Sequence, residues 1–143
     1  MSKVIKVKYH TDIDPIRQVD GSDWIDLRTA EDVYLEEGQY KRISLGVSIE
    51  LPPGYEAMVI PRSSTFEKYG VLLANGVGLI DNSFRGDNDI WQFPAYATQD
   101  TFIPKNVRIC QFRIFANQTN LAIQTVEDLG NEGRGGFGST GTN

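Results

Sequence analysis

Short alternating runs, each cut off by turn residues before it reaches helix length, restrict the fold of this chain more than any other feature. At the start, Ile5, Val7 and Tyr9 fall on one side of an extended backbone and Lys6 and Lys8 on the other, which is the two-residue period of a half-buried strand. Comparable runs recur at QYKRISLGVSIEL (39–51), YEAMVIP (55–61), DIWQFPAYA (89–97), RICQFRIFA (108–116) and LAIQTVE (121–127). Turn signals such as LPPGYE (51–56) and FIPKNV (102–107) separate them, and this punctuation leaves no room for crossover helices. The pattern predicts an all-β, jelly-roll-like sandwich or barrel. One brief helix is expected from Ser64 to Tyr69, with Ser63 or Ser64 as its cap and Gly70 as its stop.

A chain of 143 residues supports one domain with one hydrophobic core. Its formal charge of -5 gives no general attraction to a nucleic-acid backbone, so no DNA or RNA polymer is expected as a partner. Any phosphate would have to be held by local donors. Cys110, the single cysteine, has no internal disulfide partner and reads as core packing in a reducing compartment. No run approaches the length needed to cross a bilayer, so the expected location is the cytoplasm, with no membrane partner.

Residues 1–129 read as the β-rich core and 130–143, GNEGRGGFGSTGTN, as a glycine-rich arm. Such a segment is costly to order and cannot build a core of its own. Its composition fits a flexible terminus. It equally fits a cover for a bound anion, with converging backbone N–H groups, Phe137 as an apolar lid, and Arg134, Ser139 and Thr140 as anion partners.

Four polar clusters interrupt the strands. In PRSSTFEKYG (61–70), Arg62, Ser63 and Ser64 stand where a helix would begin, a position that suits either an anion or a simple cap. In NGVGLIDNSFRGD (75–87), Asp81 follows Gly78, Leu79 and Ile80. It either turns the backbone or holds a carboxylate at a pocket edge as a general base. Phe84 could pack on a flat ring or a sugar. Near DWIDLR (23–28), the carboxylates Asp23, Asp26 and Asp32 could meet a hydrated Mg²⁺, although their spacing defines no metal site. In RICQ (108–111), Gln111 is a polar residue in an apolar strand. His10 is the only histidine, which argues against a serine–histidine triad or a histidine-rich zinc site. Asp87 to Asp89 read as a solvated turn.

In order and spacing, IDLRTAED, PRSSTFEKYG, NGVGLIDNSFRGD, RICQF and RGGFGSTG resemble the five motifs of the trimeric deoxyuridine triphosphatases (dUTPases). The resemblance implies hydrolysis of dUTP at the α-phosphorus to dUMP and pyrophosphate, with Asp81 activating the attacking water. It also implies Mg²⁺ as cofactor, bridged by the phosphates and held by Asp26 through water. Arg62, Ser63, Ser64 and Gln111 would bind the phosphate chain, with Ser64 and Gln111 nearest the reacting end. Asn75 and the backbone of Gly78, Leu79 and Ile80 would read uracil in a hairpin too tight for a thymine methyl group. Phe84 would pack on deoxyribose. Arg134 and the arm residues Gly138, Ser139 and Thr140 would meet the γ-phosphate while Phe137 covers the base. A homotrimer with active sites shared between subunits is implied as well.

The pattern has departures. Trp24 and Ile25 stand where the family usually carries glycine and tyrosine, Phe84 replaces a tyrosine, and Arg134 lies closer than usual to the Gly-Gly-Phe run. Two other functions fit related features. A regulatory dUTP-binding protein would keep the nucleotide contacts with little or no turnover. A dCTP deaminase would need a glutamate beyond the Phe-x-Gly step, where this chain has Ile90, Trp91 and Gln92.

Overall fold

A computed structural model describes residues 3–136. Among them stand eleven strands and one five-residue helix, as the alternation predicts. Strand β1 (Lys6–Tyr9) pairs antiparallel with β5 (Val47–Glu50), in register Val7 opposite Ile49. The largest sheet joins β2 (Ile25–Arg28), β11 (Arg108–Ala116), β6 (Tyr55–Pro61) and β8 (Gly78–Ile80) in that spatial order. A third sheet has the order β4 (Tyr40–Ser44), β9 (Gln92–Ala97), β7 (Val71–Leu73), and β3 (Val33–Leu35) pairs with β10 (Thr101–Ile103). Their inner faces share one core in which Leu27, Ile43, Val47, Trp91, Phe93 and Phe112 are fully enclosed. Apolar area removed from water is the main stabilising term in such a core.

Three local expectations change. The run 39–51 is two strands, not one, because Gly46 adopts φ 68° and turns the chain from the sheet of β4 to that of β5. A β-carbon at Gly46 would sit 3.0 Å from both Ala30 Cβ and Thr11 Cγ2, so glycine meets a conformational and a steric need together. The run 121–127 forms no strand, and Ile123 is 95% exposed: among the described residues, no sheet edge pairs with it. The connection from β7 to β8 is not a hairpin, since β7 pairs with β9 and β8 with β6.

The helix α1 (Thr65–Tyr69) ends as expected, on Gly70 with φ 63°, a left-handed stop. Its start differs. Ser64 occupies the cap position without a side-chain capping bond. Thr65 ties down the turn instead: its Oγ1 accepts the Arg62 N–H at 3.0 Å and donates to the Ile109 carbonyl at 2.7 Å. That leaves the Ser63 and Ser64 hydroxyls outside the fold's own hydrogen bonding.

Candidate active site

Sheet register brings together residues far apart in sequence. Gln111 on β11 lies opposite Asp26 on β2 and opposite Ile60 on β6, so one strand spacing, about 4.8 Å, separates each pair. Gln111 Nε2 donates to the Pro61 carbonyl at 3.2 Å, fixing its amide beside the chain that leads to Arg62. Arg62 Nε then approaches Asp26 Oδ1 at 3.2 Å, and Arg108 Nη1 approaches Asp26 Oδ2 at 3.6 Å. Asp26, Arg62, Ser63, Arg108 and Gln111 line one cavity of about 580 Å³. Its far wall is the loop before β2, with Arg17, Val19 and Trp24. Four arginines line this hollow, two of them on the Asp26 carboxylate, which makes it an anion site within an acidic chain.

Arg108 was not singled out by the sequence reading. Strand alternation alone would put it on the same side as Cys110, in the core. A bulge between Arg108 and Cys110 shifts the register, which lets Ile109 and Cys110 both be buried while Arg108 and Gln111 reach the cavity. An extra residue of this kind re-aims side chains.

A second cavity, of about 500 Å³, takes in Asn75, Gly78, Leu79, Ile80 and Phe84, with Trp91 at its base. Gly78 pairs with Val59 so closely that a β-carbon would stand 3.2 Å from Val59 Cβ. The Trp91 indole N–H is buried without a hydrogen-bond partner, and its ring meets Phe112 edge to face with centroids 5.2 Å apart. The two cavities share no lining residue. Four arginines line one; the other is mainly apolar, with Arg42, Asn75 and Gln92 among its polar members, the usual character of a small-molecule pocket.

Asp81 directly follows β8 and lines neither cavity. Its carbonyl accepts the Phe84 N–H at 3.0 Å, so its backbone makes a turn while its carboxylate stays exposed to solvent. Turning and presenting a base are therefore compatible. Ser64 lines neither cavity but adjoins Ser63, which does line the arginine cavity. Arg134 is exposed and also lies outside both. Phe137, Gly138, Ser139 and Thr140 fall outside the described residues.

The other candidates are structural. Asp32 accepts the Lys105 N–H at 2.7 Å, and Asp23 only grazes Arg113 at 4.0 Å. His10 Nε2 bonds Ser48 Oγ at 2.8 Å. Asp89 is half-buried and not merely solvated, because its carboxylate accepts the Gly86 N–H at 2.8 Å. Cys110 is fully buried, and burial, reinforced by the nearby Asp26 charge, pushes its thiol well above the ordinary range, consistent with packing in place of reactivity.

Among the described residues, no three His, Cys, Asp or Glu side chains gather as a metal cluster. Both Asp26 oxygens already face guanidinium groups. The donor set therefore fits a hard ion carried by phosphates and met through water, not a protein cage.

Residues 12–141 match the family model described as dUTPase. The chain is 52% identical over 139 residues to the SPbeta prophage-derived deoxyuridine 5'-triphosphate nucleotidohydrolase YosS of Bacillus subtilis, spanning 96% of this chain and 98% of that protein. It is 35% identical to the deoxyuridine 5'-triphosphate nucleotidohydrolase of Crocosphaera subtropica, over 97% of both chains. Among solved structures, the Staphylococcus bacteriophage 80alpha dUTPase with dUPNHPP superposes with a TM-score of 0.81 at 20% identity, covering 99% of this chain and 100% of that one. A dUTPase from phage phi11 of S. aureus, whose structure shows coordination of a structural Mg(II) ion, superposes at 0.75 and 17% identity, over 88% and 98% of the two chains.

Proposed function

Since the chain belongs to the dUTPase family, we propose that it hydrolyses dUTP to dUMP and pyrophosphate. One observation carries the chemistry: Asp26, Arg62, Ser63 and Gln111, dispersed over three motifs, converge on a single anion-binding cavity. A triphosphate placed there meets guanidinium and amide donors aimed before it arrives, which is the arrangement that stabilises charge developing on phosphoryl oxygens.

Asp81 takes a proton from water as the water oxygen bonds to the α-phosphorus. The bond from that phosphorus to the α,β-bridging oxygen breaks, pyrophosphate leaves, and dUMP keeps the oxygen of the water. Arg62 and Gln111 hold the phosphate chain so that this line of attack is fixed. Asn75 and the backbone of Gly78 to Ile80 read uracil, with Phe84 against the deoxyribose. Asp26 would hold Mg²⁺ through water, and the bound ion would neutralise charge on the phosphates. Phe137 and Arg134 belong to the arm that closes over substrate.

The separation of the two cavities supports an assembly of three copies in which one copy lends the base-binding wall and another the phosphate wall. We place the enzyme in the cytoplasm, on the strength of its unpaired, inert Cys110. The test is product analysis with Mg²⁺ and, separately, dUTP, dCTP, dTTP and UTP. Formation of dUMP and pyrophosphate from dUTP alone is expected; no turnover of dUTP would overturn the proposal.

A further inference from the structure

The Asp81 carboxylate is exposed and makes no ion pair and no side-chain hydrogen bond among the described residues. A general base works only while it is held within hydrogen-bond reach of its water, so its aim must come from the backbone on either side. Before Asp81 the sheet supplies it: Ile80 lies opposite Ala57 at the end of the β6–β8 ladder, and Ala57 is fully buried. After Asp81 the chain enters no strand until β9.

Asn82 takes over at that point. Its Nδ2 donates to the Pro52 carbonyl at 2.9 Å and to the Tyr55 carbonyl at 2.8 Å, and its Oδ1 accepts from Arg85 Nη1 at 2.9 Å. Both donor hydrogens and the oxygen of the half-buried amide are thereby engaged. The two carbonyls belong to the turn that leads into β6, itself closed by the Tyr55 N–H on the Pro52 carbonyl at 3.2 Å. Asp81 is therefore bracketed by one strand, with Ile80 held on Ala57 and Asn82 on Tyr55. A residue that only turned the chain would need no such reach, because the Phe84 N–H on the Asp81 carbonyl already closes the turn.

Building on the proposed dUTP hydrolysis, we propose that Asn82 is a positioning residue for that reaction: by fastening the backbone after Asp81 to the start of β6, it fixes the direction in which the Asp81 carboxylate meets the attacking water. Asn82 lines neither cavity, so its contribution falls on turnover and not on nucleotide binding.

The experiment compares Asn82→Ala, which removes the clamp, and Asn82→Asp, which keeps its size but sets an acceptor against two carbonyls. Each is made in wild type and in Asp81→Asn, checked for folding by thermal melting, and measured for single-turnover hydrolysis of dUTP and for calorimetric binding of the non-hydrolysable α,β-imido-dUTP. A misaimed base predicts that both changes slow hydrolysis about ten- to a hundredfold in the wild-type background, with analogue affinity within about twofold. In the Asp81→Asn background the same changes should alter the residual rate by less than about twofold, because a residue that acts through Asp81 couples to it. An equal-fold loss in the two backgrounds would overturn the inference, since a general structural effect does not pass through Asp81. Should Asn82→Ala fail to fold, Asn82→Asp decides by the same comparison. An active wild type matched in rate by the variants would overturn this inference alone, whereas a wild type that leaves dUTP intact would overturn the hydrolase reading and this one with it.

Discussion

Asp26 engages guanidinium groups that a triphosphate would also use. Arg62 Nε is 3.2 Å and Arg108 Nη1 3.6 Å from its two oxygens, and the side chains of Arg62, Asp26 and Arg108 are 25%, 33% and 52% exposed. Ion pairs at such exposure contribute about 0.2–1 kcal/mol each. Asp26→Asn should therefore release about 0.4–2 kcal/mol of competition for the same donors, and it also removes a negative charge from beside the phosphates. With metal chelated by EDTA, Asp26→Asn should bind α,β-imido-dUTP about tenfold more tightly than wild type. Adding Mg²⁺ should reverse the order, because the variant then lacks the carboxylate that meets the hydrated ion. Calorimetry at one ionic strength, with and without Mg²⁺, measures both arms. Equal or weaker binding by Asp26→Asn in EDTA would refute the idea that this carboxylate competes with substrate.

Asp81→Asn keeps the shape of the side chain and removes the base, so single-turnover hydrolysis should slow by about 10²–10⁴-fold while α,β-imido-dUTP affinity stays within a few fold; near-normal turnover would sink the assignment. Cys110 offers a test of the core. Its folded thiol is held above the usual range by burial, whereas the unfolded thiol ionises near 8.5. The stability that the neutral thiol contributes is thus present below about pH 8.5 and is lost as pH rises beyond it. In urea unfolding at one protomer concentration, without metal or nucleotide, the stability of wild type relative to Cys110→Ala should fall by about 2 kcal/mol between pH 8 and pH 10. Parallel pH profiles would contradict that burial.

Alternation at Ile5, Val7, Phe93, Ala95, Ala97 and their neighbours was enough to read strands, because side chains on a pleated backbone must take opposite faces. Alternation says nothing about which strand pairs with which. That is why one run became two strands at Gly46, and why the hairpin expected between β7 and β8 is a crossing between sheets. The segment with Ile123 has the period of a strand but no partner edge among the described residues. Site residues were legible where a motif names them, as with Asp26, Arg62, Ser63 and Gln111, which the register assembles. Arg108 was hidden by a bulge and Arg17 by a loop, two features whose geometry depends on contacts from distant parts of the chain. Ser64 holds the cap position without a capping bond, and Thr65 ties down the turn because its hydroxyl reaches Ile109 on a neighbouring strand, a contact that only the folded sheet creates.

The two cavities of one chain, with no lining residue in common, have a consequence for inheritance. In the proposed assembly, where each site borrows a wall from another copy, each Arg62 variant subunit disables one site, so activity falls in proportion to the share of variant chains in a cell that makes both forms. The reverse also follows: two inactive alleles, one damaged at Asp81 and one at Arg62, complement each other when their products mix. Selection in such an assembly acts on the matching of two surfaces that share no lining residue within one chain.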